Sequence, residues 1–158
     1  MEKMMDEIRE FLIYSAKNGY GNAQAITTEE TDGSKTIEVT NGNLRMHDNY
    51  FGGEPYGGRE VIFLGDKAIW MMAYYGAVKD LGDMALQDVY GYLRQNLLNP
   101  DPDMPIRGPL EHQEGEWTYA ADIKGDLTDF TCEEVIRHDD KIIYQATFAG
   151  GLVDQQND

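Results

Sequence analysis

The sequence predicts an α+β domain: a mostly antiparallel, twisted sheet of about six or seven strands, with an N-terminal helix and a central helix packed on one face. Three observations carry this expectation. Apolar residues recur at helical spacing near the start and the centre of the chain, and at period two between and after those segments. The strand-like runs are joined by turn signals such as Asn41-Gly42, Gly65-Asp66 and Gly125-Asp126, which are too short for parallel crossovers. The run from Ile69 to Tyr75 is apolar or aromatic at every position, which reads as a central strand buried on both sides.

In chain order, residues 2–17 read as a helix. Met4, Met5, Ile8, Phe11 and Leu12 form its apolar stripe, and Asn18-Gly19 ends it. Residues 20–33 are polar and predict a loop of low order. Thr36 to Thr40 and Leu44 to Asp48 alternate and form a hairpin across Asn41-Gly42. Tyr50 to Gly58 reads as a glycine loop, followed by strands from Arg59 to Leu64 and from Lys67 to Tyr75. The central helix is expected over 83–98, with Leu86, Tyr90, Leu93 and Leu97 on one stripe and Asp88, Arg94 and Gln95 facing out. The prolines of 99–105 predict an extended linker. Three strands follow, near 117–123, 127–137 and 141–148, with a bulge expected around Cys132–Glu134 and a short pairing at 150–153. The expected organisation is one domain over 1–153 and a disordered tail over 154–158.

Bulk composition narrows the function. The chain has 158 residues, 41% of them apolar, enough for one domain with its own core. Its 13 Lys+Arg stand against 29 Asp+Glu, a net charge of −16, which argues against nucleic-acid binding and against an anionic membrane surface. One cysteine, Cys132, allows no internal disulfide, and no apolar run approaches the ~20 residues that span a bilayer. A soluble, cytoplasmic protein is expected.

No reaction is specified by the sequence. The paired glycines Gly52-Gly53 and Gly57-Gly58 lead into a strand and lack a following Lys-Ser/Thr step, so they are not a phosphate loop; they read as an anion nest or as a wide hairpin. Asp48, Glu54 and Glu60 gather around that loop, and Asp48 and Glu60 are expected to face each other if it closes a hairpin. His47, His112 and His138 lack ligand spacing, so no metal and no cofactor are implied. Only two serines occur, Ser15 and Ser34, neither in a nucleophile elbow, and Cys132 alternates with core positions. Tyr50, Tyr56, Trp70, Tyr74, Tyr75 and Tyr144 exceed what a plain core requires, and tyrosines beside a glycine loop suit a pocket that stacks and hydrogen-bonds a ligand. Arg107, fixed between Pro105 and Pro109, is expected to pair with Asp48 or Glu60, or to hold an anionic ligand group.

Asp48 with Tyr50-Phe51-Gly52-Gly53, Tyr56-Gly57-Gly58-Arg59-Glu60-Val61, Trp70-Met71, Tyr74-Tyr75-Gly76, Pro105-Ile106-Arg107-Gly108-Pro109, and Tyr144 with Phe148 and Gly150-Gly151 together resemble a prokaryotic family, domain-of-unknown-function family 5680. Some of its members carry the domain after a helix-turn-helix segment. Residues 1–18 supply a single helix, so the resemblance implies a stand-alone sensor or partner-binding version. Together these readings favour a ligand-binding or regulatory module using Asp48, Tyr50, Glu60, Trp70, Tyr74, Tyr75, Arg107 and Tyr144. The alternatives are an enzyme using Asp48 or Glu60 with Arg107, and an interaction domain forming a homodimer.

Overall fold

The structure, a computed structural model, describes residues 1–22 and 25–156. Helix α1 spans Glu2–Asn18. Strands β1 (Thr27–Glu29), β2 (Lys35–Asn41), β3 (Leu44–Gly52), β4 (Tyr56–Leu64) and β5 (Lys67–Val78) follow. Helix α2 (Leu86–Leu97) then separates them from β6 (Glu111–Glu114), β7 (Trp117–Asp126), β8 (Asp129–His138) and β9 (Lys141–Leu152). All nine strands form one sheet in the order β1-β2-β3-β4-β5-β9-β8-β7-β6, antiparallel at every pairing. It consists of two meanders that join where β5 meets β9.

The antiparallel expectation holds, and the expectation of six or seven strands under a packed central helix does not. Two short edge strands account for the extra pairings. Glu111–Glu114 contains no apolar residue, and Thr27–Glu29 is exposed throughout, so backbone ladders alone define them. The β1 strand also corrects the expected featureless loop over 20–33, of which residues 23 and 24 lie outside the described residues; so do 157 and 158 of the expected tail. Helix α2 starts later than expected. Its Tyr90 and Tyr92 rings meet Tyr144 of β9 and Trp117 of β7. The proline-rich linker is a series of turns rather than an extended run. The Asp101 carboxylate accepts the backbone N–H groups of Asp103 and Met104, and the chain delivers Ile106 into the core.

The β5 strand is also not buried on both sides. Its residues alternate: Trp70, Met72 and Gly76 are buried, while Ala73 and Tyr75 face solvent, Tyr75 with 59% of its surface exposed. Ile69 and Ala77 are buried as well, so both faces are covered towards the ends of the strand and only its middle is one-sided. The inward face carries the core. Trp70 anchors it, stacked on Phe130 with centroids 5.8 Å apart, its indole N–H donated to the Leu127 carbonyl at 2.9 Å. Ile8, Phe11 and Leu12 of α1 and Val89, Leu93 and Leu97 of α2 belong to the same cluster.

Candidate functional site

Strand register sets the site out in three adjacent rows on the inward face. One row runs Ile37, Asp48, Glu60, Met72 across β2 to β5. The next runs Tyr50, Gly58, Tyr74, Phe148, Cys132 across β3, β4, β5, β9 and β8. The third runs Gly52, Tyr56, Gly76, Ala146, Glu134. Glycines leave the gaps that the tyrosines fill. A Cβ on Gly76 would lie 2.6 Å from the Tyr56 hydroxyl, and one on Gly58 would lie 2.6 Å from the Tyr50 Cβ. The glycine-rich stretch is therefore mostly strand, closed by a tight hairpin at 53–55.

The Glu134 end is closed. Its carboxylate is fully buried and accepts both Nε and Nη2 of Arg107 at 2.8 Å, a bidentate pair. It also accepts the hydroxyls of Tyr119 at 2.6 Å and Tyr144 at 2.9 Å. The Tyr56 and Tyr144 hydroxyls share a short hydrogen bond, Tyr119 accepts the Gly108 N–H at 3.0 Å, and the Arg107 guanidinium lies 4.4 Å from the centroid of Phe148. Burial is the largest influence on Arg107 and opposes its charge, but Glu134 with Tyr56 and Tyr144 together outweigh it and hold the guanidinium firmly protonated. Burial, followed by the Glu134 charge, raises both Tyr119 and Tyr144, so these hydroxyls remain donors.

The Asp48 end is open. Asp48 and Glu60 are direct cross-strand partners, and Tyr74 donates a short hydrogen bond to Asp48. Burial pushes Asp48 up to about 6, against the pull of the Tyr74 hydrogen bond. Burial, reinforced by the Asp48 charge, pushes Glu60 up to about 8. Near neutral pH the pair therefore holds one proton between two carboxyls. A cavity of about 200 Å³ opens beside it, walled by Tyr20, Tyr50, Tyr56, Tyr74 and Tyr90, with Arg94 and Lys35 also lining it. A smaller one of about 50 Å³ lies between α1 and the sheet and shares Tyr20, Asp48 and Arg107 with the first. A single water needs about 10–15 Å³ by the same measure, so the larger cavity has room for a small organic molecule. Two buried side-chain polar atoms among the described residues have no partner, Ser15 Oγ and Arg94 Nε. Ser15 lines the smaller cavity and Arg94 the larger.

The structure brings most of the anticipated residues together and separates two. Asp48, Tyr50, Tyr74 and Arg107 line the main cavity, Glu60 lines its neighbour, and Tyr144 lies behind Tyr56 in the closed network. Trp70 is wholly buried in the core, and Tyr75 points from the opposite face. Arg107 pairs internally, but with Glu134 rather than with Asp48 or Glu60. Glu134 had a legible signal: it interrupts the apolar alternation Phe130, Cys132, Ile136, where a lone glutamate requires a buried partner. Arg94 was expected to face out; it is half-buried, with its guanidinium 5.4 Å from the Tyr20 ring centroid. Glu116, His138 and Asp139 each place a ligand atom within 4.8 Å of the others, on the surface and away from these cavities; two of the three are exposed, and nothing further marks the group as a metal centre.

No curated protein and no solved structure matches the chain. No helix among the described residues is long and apolar enough to cross a membrane. The profile of the family described as Domain of unknown function (DUF5680) matches residues 48–153, which hold both carboxyls of the open pair, Arg94, and the whole Arg107–Glu134 network. The chain belongs to this family.

Proposed function

We propose that the protein binds a small polar molecule in the tyrosine-walled cavity between the sheet and its helices. The observation that carries this reading is a cavity of about 200 Å³ lined by five tyrosines together with Asp48, Arg94 and Lys35, in which the Arg94 side chain has no partner among the described residues. Leaving a buried polar atom unpaired costs about 1–3 kcal/mol, so such a side chain at a cavity wall is a place for a ligand to gain. Tyrosines from four elements, Tyr50, Tyr56, Tyr74 and Tyr90, line the same space, as aromatic side chains with polar tips do in ligand pockets. Such a module suits a regulatory role, in which occupancy stabilises one state of the domain. Thermal-shift screening against metabolite libraries tests the reading. A cognate compound at 100 times its Kd stabilises the fold by about 2.7 kcal/mol, and the shift diminishes in Tyr90→Phe and Asp48→Asn. A protein that no compound in a broad library stabilises would defeat it.

The facing pair Asp48 and Glu60 supports a second reading, proton transfer to or from a bound molecule. One carboxyl is charged and one protonated near neutral pH, at the edge of a cavity. In this reading Arg107 takes no part, because both sides of its fork are engaged by Glu134.

A further inference from the structure

We infer that the molecule held in this cavity carries a carboxylate, and that Arg94 receives it. The inference rests on the cavity being a binding site and adds the chemical class of its occupant. The Arg94 side chain has no hydrogen bond and no ion pair among the described residues, although acidic residues outnumber basic ones by more than two to one. Three of the six arginines, Arg9, Arg45 and Arg107, have a carboxylate partner; among the other three, Arg59, Arg94 and Arg137, Arg94 is the one at the wall of the tyrosine-lined cavity. Arg94 instead lies over the Tyr20 ring, at the wall of the cavity, with its Nε buried. With Nε buried, the terminal Nη1 and Nη2 groups are the donors left to meet a carboxylate, which they can do through two parallel hydrogen bonds.

The surroundings fit the same charge. Lys35, exposed at the rim of the cavity, adds a second positive charge. Arg107 is neutralised by Glu134, so it does not compete for the ligand. Glu54, in the hairpin between β3 and β4, is occupied by the Tyr90 hydroxyl of α2 and by the Val78 N–H at 2.7 Å. At the other side of the cavity Asp48 keeps an oxygen not used by Tyr74, which suits a hydroxyl or amine of the ligand. The tyrosine walls accommodate a flat or aliphatic body between these two ends. The class is therefore a small organic acid with a hydrogen-bond donor remote from its carboxylate.

A test uses matched sets of probes on the full chain: hydroxyphenyl and aliphatic hydroxy acids, each beside its neutral amide and its amine analogue, with binding followed by ligand-observed NMR and calorimetry. Wild type is expected to bind the best acid at least about tenfold more tightly than its amide. Arg94→Gln abolishes that preference while amide binding persists, and Arg94→Lys restores part of it. The unliganded Arg94→Gln protein melts within about 3 °C of wild type, because no ion pair or side-chain hydrogen bond is removed and the ring contact with Tyr20 is long. Equal binding of acids and amides by wild type overturns the inference and leaves the cavity reading standing. An acid preference that survives in Arg94→Gln overturns it as well. Failure of every probe in all three sets overturns both.

Discussion

Two groups of buried charge share the inward face of one sheet, and they are treated in opposite ways. At Glu134, every oxygen lone pair has a matched donor from Arg107, Tyr119 or Tyr144, and no space remains. At Asp48 and Glu60, two carboxyls that share one proton face each other, and an arginine without an ion pair lines the cavity beside them. A satisfied network rigidifies the fold, and an unsatisfied one is tolerated where something else completes it. The contrast teaches that charge and burial alone do not mark a site; the state of hydrogen-bond satisfaction does.

The largest effect should come from breaking the closed group. Glu134→Ala strands the Arg107 charge and two tyrosine hydroxyls in the interior, and is expected to lower stability by about 3–5 kcal/mol in urea unfolding. Replacing the pair together, Arg107→Met with Glu134→Leu, recovers part of that loss. A loss under about 1 kcal/mol for Glu134→Ala would erase the distinction between the two groups. The open group should show itself through pH. Asp48 and Glu60 both have raised values in the fold, so the folded chain holds more protons than the unfolded one. Their contribution is fully present below about pH 4 and is lost as pH rises through about 6 to 8. Glu60→Gln therefore matches wild type near pH 4 and exceeds it at pH 8.5, by on the order of 1–3 kcal/mol. A difference that does not grow with pH would show that the pair is not strained. The smallest effect belongs to neither group. Gly91 sits exposed inside α2, and a Cβ there meets nothing within 4 Å, so Gly91→Ala should stabilise by about 0.5–1 kcal/mol and set the scale for the other two.

Much of this was legible in the sequence where alternation was clean. The period-two runs of β2 and β3 and their Asn41-Gly42 turn placed Asp48, and the hairpin that follows placed Glu60 opposite it. Legibility failed where side chains carry no periodic signal. The edge strands Thr27–Glu29 and Glu111–Glu114 are defined by backbone pairing alone. Ala73 and Tyr75 face water yet read as core, because hydropathy does not record which side of a sheet has a cover. Arg94 lies on the polar side of the α2 pattern, and only its tertiary neighbour Tyr20, from the chain after α1, turns it towards a cavity. Arg107 was singled out by its prolines, but its partner lies 27 residues away on β8.

The seam between β5 and β9 has a consequence for how the molecule comes to be able to act. The first meander brings Asp48, Tyr50, Tyr56, Glu60 and Tyr74, the second brings Glu134, Tyr144 and Phe148, and the seam pairs Tyr74 with Phe148 and Trp70 with Leu152. Each meander closes through local turns, whereas the seam joins residues about half the chain apart and must bear the loop-closure entropy last. Both cavities are lined by the first meander, the helices and the turns at 105–107, so a chain halted with its two meanders undocked would lack Glu134 behind Arg107 and Tyr144 behind Tyr56. The seating of these two wall residues, Arg107 and Tyr56, would thus report that the whole sheet has zipped shut.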